Sequence, residues 1–264
     1  MKAVLDELAN RRPVEQRVMI VVAHPDDETI GMGACLCLLR NTLLVHVTDG
    51  APRDGRDAAM HGFANAADYA AARRAELAAA LAAGGAGAVR TAAIDIADQE
   101  AHANLPRLVA RLRDLIEAER PAAIFTHTYE GGHPDHDAAA FAVATAVRLL
   151  TPDEPVVIEM PLYRAAGDGI AKLSFLPVAS PVTELLLTPE ERARKQRMVA
   201  CFRSQAAVLA GFELDAERFR PAPSYDFTLP PHPGVLNYER LGWGITGAAW
   251  RATAVAAQAD FGLC

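Results

Sequence analysis

Apolar residues along this chain fall first into a short unbroken run and then into helical spacing, and the alternation repeats as far as residue 150. The run Arg17 to Ala23 is apolar and β-branched, the pattern of a strand buried on both faces of a parallel sheet. A helical segment from about Ile30 to Arg40 and a second apolar run, Leu43 to Val47, complete a βαβ unit. A polar loop from Thr48 to Asp57 leads to a long helix over Ala66 to Ala83, stopped by Gly84 and Gly85. Val89 to Ile94 predicts a third strand and Asn104 to Glu119 a helix. Ala122 to Thr126 predicts a fourth strand entered through Pro121, and Pro134 to Leu150 another helix.

Strands and helices alternating at this spacing imply an α/β fold: a Rossmann-like, doubly wound, mostly parallel sheet with helices on both faces. After Thr151 the alternation weakens. Pro155 to Met160 and Val182 to Leu187 read as strands. Pro189 to about Leu209 reads as a helix, because Thr188 supplies an N-cap, Pro189 suits the first helical position, and Glu190 and Glu191 are early acids. Pro221 to Pro233 holds five prolines around Tyr225 and Phe227 and reads as an ordered, irregular loop. With no repeat or low-complexity linker, the expectation is one domain over 1–264, residues 1–150 forming the core and 151–264 a more irregular specificity region.

Composition narrows the class. Hydrophobic residues at 51% and charged residues at 22% are those of an ordinary globular protein. Lys and Arg number 26 against 33 Asp and Glu, a net charge of −7 with no dense basic run, so no nucleic-acid partner is expected. Met1 to Arg12 is amphipathic and carries Asp6 and Glu7, unlike a signal peptide, and no apolar stretch is long enough for a membrane span. The expectation is a soluble, cytoplasmic protein without membrane insertion, and a homo-oligomer is permitted. Cys35, Cys37, Cys201 and Cys264 are too few and too irregular for a disulfide framework and read as buried thiols.

The chemistry concentrates in two clusters. His24-Pro25-Asp26-Asp27-Glu28 lies just beyond the first strand, where open α/β sheets place their ligands. His133-Pro134-Asp135-His136-Asp137 follows the fourth strand in the same way, with Pro134 suited to the first helical position. His24 and Asp27 are three residues apart, as are His133 and His136, so each pair can converge on one point. Two imidazoles and a carboxylate would make a three-ligand site with a position left for water, the pattern of catalytic zinc. Such a cation lowers the pKa of water, and a carboxylate beside it takes the remaining proton, a role open to Asp26. The histidine of the second cluster left unligated suits oxyanion stabilisation and leaving-group protonation. Spacing does not decide between His133 and His136.

Ala23-His24-Pro25-Asp26-Asp27-Glu28 and His133-Pro134-Asp135-His136 resemble the two signature motifs of the PIG-L/LmbE-like family, zinc-dependent deacetylases of N-acetylglucosamine conjugates. The resemblance covers Arg17 to Leu150. It implies that His24, Asp27 and His136 hold one Zn²⁺, that Asp26 is the general base, that His133 is the acid or oxyanion stabiliser, and that Asp135 orients a catalytic histidine. Fe, Mn, Co or Ni suit the same mixed donors. Arg73-Arg74-Ala75-Glu76 resembles the family helix that aims an arginine at the substrate, and Asp98-Gln99-Glu100 its acidic substrate loop, nominating Arg73 and Asp98 for substrate binding. Where some members carry a tyrosine two residues before the second motif this chain has Gly131, and the nearest tyrosine is Tyr129.

Each motif has a plainer reading. Acidic residues after a strand often only cap the next helix. Arg73 beside Arg74 also suits an ion-paired helix face, and Asp98 a cap or surface acid. His46, in a buried strand, reads as a satisfied core histidine. His61, His102 and His232 read as loop residues, with His232 a candidate for the pocket wall. Gly31 and Gly33 do not complete a dinucleotide fingerprint, and no Gly-x-Ser-x-Gly is present. The expected activity is hydrolysis of an N-acetyl amide on a small amino-sugar conjugate, releasing acetate. The alternatives are an amidase acting on a non-sugar or longer-acyl amide and a non-catalytic relative that binds sugar or metal.

Overall fold

The computed structural model describes residues 2–150 and 155–263. The boundary expected near Thr151, together with Met1 and Cys264, lies outside the described residues. After α1 (Lys2–Ala9) the chain runs through β1 (Val14–Val22), α2 (Asp27–Met32), β2 (Leu39–Pro52), α3 (Arg56–Met60), α4 (Ala66–Ala83), β3 (Arg90–Asp98), α5 (Leu105–Glu119), β4 (Ala123–His127) and α6 (Pro134–Arg148). It continues with β5 (Val156–Met160), the hairpin β6 (Tyr163–Ala166) and β7 (Gly169–Lys172), β8 (Thr183–Leu186), α7 (Pro189–Val199), α8 (Ala206–Leu209), β9 (Ala216–Pro221), α9 (Asn237–Arg240) and α10 (Gly247–Asp260).

Seven strands form one sheet in the order β3-β2-β1-β4-β5-β9-β8. The first five are parallel, and β9 and β8 extend the sheet antiparallel beyond β5. The strands of β1 alternate their burial between two cores: Val18, Ile20 and Val22 pack on one face with α1, α4 and α7, and Met19 and Val21 on the other with α5, α6 and α10. Burial on both faces is why β1 carries no polar residue between Val18 and Val22. The order reverses between β1 and β4, so the crevice at their carboxyl ends is the switch point at which such sheets bind ligands.

Three expected elements differ. The helix placed over Ile30 to Arg40 is shorter and broken: α2 ends at Met32, Leu36–Leu38 form a 3-10 turn, and β2 begins at Leu39. β2 then runs through the supposed loop to Pro52. The helix from Pro189 stops at Val199 and resumes as a 3-10 turn and α8, although its start carries the expected Thr188 cap, with Glu191 completing a capping box. Among the described residues no helix is long and apolar enough to cross a membrane. Cys35 is buried, Cys37 and Cys201 are half-buried, and all three are free thiols.

Candidate active site

The loops that follow β1 and β4 and the end of β3 close around a cavity of about 320 Å³. Of the eight residues expected to carry function, all but Asp135 line it.

The first motif turns sharply at Asp26, whose φ of 144° is foreign to a residue with a side chain and costs of order 1–3 kcal/mol. The turn is held from two sides. Glu28, buried, accepts the Asp26 N–H at 3.1 Å, and Arg73 on α4 donates to Pro25 O at 3.0 Å. Asp26 occupies the N-cap position of α2, yet its side chain makes no capping bond. Its carboxylate accepts instead from Arg73 Nη2 at 2.8 Å, both groups being buried. Arg73 Nη1 donates to Gly50 O at 2.7 Å, an approach that needs glycine because a Cβ there would stand 2.5 Å from Nη1. Arg73 Nε is buried without a partner.

Four donor atoms of three residues face one another across the switch point. His24 Nδ1 lies 3.3 Å from Asp27 Oδ2 and 3.3 Å from His136 Nε2, and His136 Nε2 lies 3.4 Å from Asp27 Oδ1. A tetrahedral cation with bonds of about 2.0–2.1 Å sets its ligand atoms roughly 3.3–3.4 Å apart. The groups whose ligand atoms stand close enough to share one cation are His24, His133 and His136, Asp27, His127 and His136, and His24, Asp98, His133 and Asp135, so the imidazoles and carboxylates gathered here suit a divalent metal. His24 turns its other nitrogen, Nε2, towards Asp98 Oδ1 at 3.0 Å and Asp135 Oδ2 at 3.4 Å. A carboxylate behind a ligating histidine fixes its tautomer and raises its basicity. Asp135 is itself fixed by the backbone N–H groups of Gln99, at 2.6 Å, and Ala101, at 3.0 Å.

His133 is the N-cap of α6, and its Nδ1 accepts the Asp135 N–H at 3.1 Å. That bond leaves the proton of the neutral ring on Nε2, 3.8 Å from Asp98 Oδ1. His133 is thereby a hydrogen-bond donor at the cavity wall, and burial holds its pKa well below the usual histidine value. Burial pushes Asp26 the other way, to about 8, against the pull of Arg73. Asp27 is held well below the carboxylate range: burial would raise it, but His136 and His127 outweigh burial.

His127, the last residue of β4, is the site residue that sequence reasoning missed. Its Nε2 accepts the Ala23 N–H at 2.9 Å and lies 3.3 Å from Asp27 Oδ2, and its ring stacks on His136 at 4.1 Å. The available signal was its position at the carboxyl end of a strand beside the switch point. Tyr129 points away: its hydroxyl donates to Leu229 O at 2.8 Å, and its ring packs against Tyr225, Phe227 and Trp250. The tyrosine that lines the cavity is Tyr163, 5.3 Å from the His136 ring. It approaches the second-motif loop where Gly132 has no side chain; a Cβ there would stand 1.9 Å from Tyr163 O. His46 is buried 3.1 Å from Glu28, His61 is exposed, and half-buried His232 does not line the cavity.

Residues 19–147 match the PIG-L family model, described as GlcNAc-PI de-N-acetylase. A curated relative, the 1D-myo-inositol 2-acetamido-2-deoxy-alpha-D-glucopyranoside deacetylase of Acidothermus cellulolyticus, is 27% identical over 73% of this chain and 80% of its own length. Among solved structures, the zinc-inhibited form of teicoplanin deacetylase aligns over 80% of this chain and 99% of its own, with a TM-score of 0.61 and 18% identity. A 4-carboxy-2-hydroxymuconate hydratase from Pseudomonas putida aligns over 80% of this chain and 98% of its own, at a TM-score of 0.51 and 16% identity. The fold is thus shared by proteins with different named reactions.

Proposed function

We propose that this chain, whose residues 19–147 match the PIG-L family model, is a metal-dependent hydrolase that removes the acetyl group from the nitrogen of an amino-sugar conjugate. Because one fold hosts several reactions, the reading rests on the site. The observation that carries it is the gathering of His24, Asp27 and His136, each pair 3.3–3.4 Å apart through the two oxygens of Asp27, in two overlapping metal-capable groups, with the Asp26 carboxylate in the same cavity.

His24, Asp27 and His136 would hold the cation, zinc being the first choice and Fe, Mn, Co or Ni admitted by the same donors. When bound, it would polarise the amide carbonyl and lower the pKa of the attacking water. Asp26, kept ionised by a cation beside it that would offset the effect of burial, accepts the proton of that water, with Arg73 holding the carboxylate in place. His133 donates a hydrogen bond from Nε2 to the oxygen that gains charge, and the proton that leaves with the sugar nitrogen is the one Asp26 took from the water. Asp135 and Asp98 orient His24, and Asp98 and Arg73, which line the cavity, would meet the substrate hydroxyls. A pure binding module would have no use for a buried base held in a strained turn.

The test is acetate release from a panel of N-acetyl amino sugars and N-acyl amines, with metal content measured on the same preparation. The expected result is one divalent cation per chain and turnover of an N-acetylglucosaminide that chelation abolishes. Metal-loaded protein that hydrolyses only non-sugar amides, or none, would contradict it.

A further inference from the structure

We propose that the mouth of the cavity is a subsite for an apolar aglycone, so that the substrate is an N-acetylated amino sugar bearing an alkyl or aryl group. The inference rests on the deacetylase reading and adds the class of conjugate. Ile170, Val208 and Leu241 are 49%, 57% and 52% exposed, yet all three line the same cavity as the buried acid-base groups. Single exposed aliphatic residues are ordinary on a protein surface; three that converge on one opening from β7, α8 and the segment after α9 mark a binding surface. Phe212 and Trp243 continue the apolar wall inward, the Trp243 ring standing 4.6 Å from His133.

The rim is built. Lys172 Nζ donates to Gly211 O at 2.9 Å and sits 4.8 Å over the Phe212 ring, tying β7 to the segment after α8. Arg240 donates to the carbonyls of Gly169 at 2.8 Å and Asp168 at 2.6 Å, tying the β6–β7 turn to α9. These bonds tie together the segments that carry the three aliphatic side chains.

The occupant follows from volume and polarity. A cavity of about 320 Å³ stands at the low end of ligand sites, roughly 300–1,000 Å³, enough for a ring and its amide. Its inner end carries Asp26, Arg73, Asp98 and His133, suited to the amide and to hydroxyls. What the sugar carries beyond its ring would lie on the rim, where Ile170, Val208 and Leu241 are exposed and Lys172 and Gln205 are the polar neighbours.

The experiment compares the metal-loaded protein on the methyl and octyl glycosides of N-acetylglucosamine, kept below the octyl compound's micelle concentration, and on methyl N-octanoylglucosaminide. The octyl glycoside should show a KM roughly tenfold or more below the methyl glycoside, as burial of an alkyl chain requires, with kcat little changed. Combining Ile170→Ser, Val208→Ser and Leu241→Ser should bring the ratio of the two KM values close to one. Equal KM values in the unmodified protein would overturn the proposal, and so would a preference for the N-octanoyl compound over the octyl glycoside. Acetate release from neither glycoside would instead contradict the deacetylase reading. Trp243 fluorescence then decides the subsite: tighter quenching by the octyl than by the methyl glycoside supports it, and equal quenching overturns it.

Discussion

Between Val14 and Arg148 the chain brings its ionisable groups inward, and between Val156 and Asp260 it leaves aliphatic groups outward at the same cavity. In the first region parallel strands end at one edge of the sheet, and the loops beyond β1, β3 and β4 place His24, Asp26, Asp27, Asp98 and His136 where water is scarce. In the second, an antiparallel hairpin, a one-turn helix and a short loop contribute Ile170, Val208 and Leu241 to the opening. The difference teaches a division of labour. Reacting groups need positions fixed to a fraction of an ångström, and a doubly wound sheet supplies them; selection of the substrate's outer part tolerates irregular segments that sequence change can reshape.

The largest expected effect comes from breaking the seam between the regions. Lys195 on α7 and Glu217 on β9 form an ion pair at 2.8 Å with both side chains fully buried. Lys195 also donates to Ile30 O, and Glu217 accepts the Ala34 N–H, so the pair clamps the second region onto α2. Lys195→Ala leaves a buried carboxylate alone and should destabilise the fold by about 3–5 kcal/mol in urea unfolding. The double change Lys195→Met with Glu217→Gln should recover most of that. A single variant as stable as the parent would show that the two regions do not depend on this clamp.

A second test concerns Glu130, which accepts the Leu162 N–H at 2.9 Å and so joins the second-motif loop to the start of the second region. Burial raises its carboxyl to about 7, the backbone bond lowering it only in part. The folded protein therefore holds a proton that the unfolded chain has released, and stability is fully present below the unfolded pKa of about 4.5 and falls as pH rises towards 7. The fall should be on the order of 3 kcal/mol. Glu159 is raised in the same direction, so the comparison is with Glu130→Gln, which should flatten the pH profile of unfolding. An unchanged slope in the variant would contradict this account.

The smallest effect is at Tyr129, whose hydroxyl ties β4's trailing loop to Leu229 of the proline-rich segment. Tyr129→Phe should cost about 1 kcal/mol in unfolding free energy and leave kcat/KM unchanged. A large loss of kcat would place Tyr129 in the chemistry after all.

How far the sequence could be read follows the same division. β1, α4, β4 and α6 were legible because local rules coincide there: an unbroken apolar run for a strand covered on both faces, Gly84 at the end of α4, Pro134 at the start of α6. β9 was not, because Ala216–Pro221 carries Glu217, Arg218 and Arg220 and reads as surface. Glu217 and Arg220 are buried only because Lys195 and Glu159, distant in sequence, neutralise them. At the site, the two motifs announced His24, Asp26, Asp27, His133 and His136. They could not announce that Asp26 would leave its helix uncapped and pair with Arg73, that His127 would stack on His136, or that Tyr163 rather than Tyr129 would reach the cavity. Those are tertiary contacts across many residues, and no local pattern encodes them.

Asp26 and Asp27 are adjacent in sequence, yet one pairs with Arg73 and the other faces His24 and His136. In the proposed mechanism the first uses the metal and the second holds it. The direct measurement is metal content and deacetylation rate for Asp26→Asn and Asp27→Asn, each with and without added zinc. Asp26→Asn should keep its metal and lose roughly 10²- to 10⁴-fold in kcat, without rescue by zinc. Asp27→Asn should lose metal, and excess zinc should restore part of its activity. Zinc rescue of Asp26→Asn, or full metal content in Asp27→Asn, would contradict the assignment.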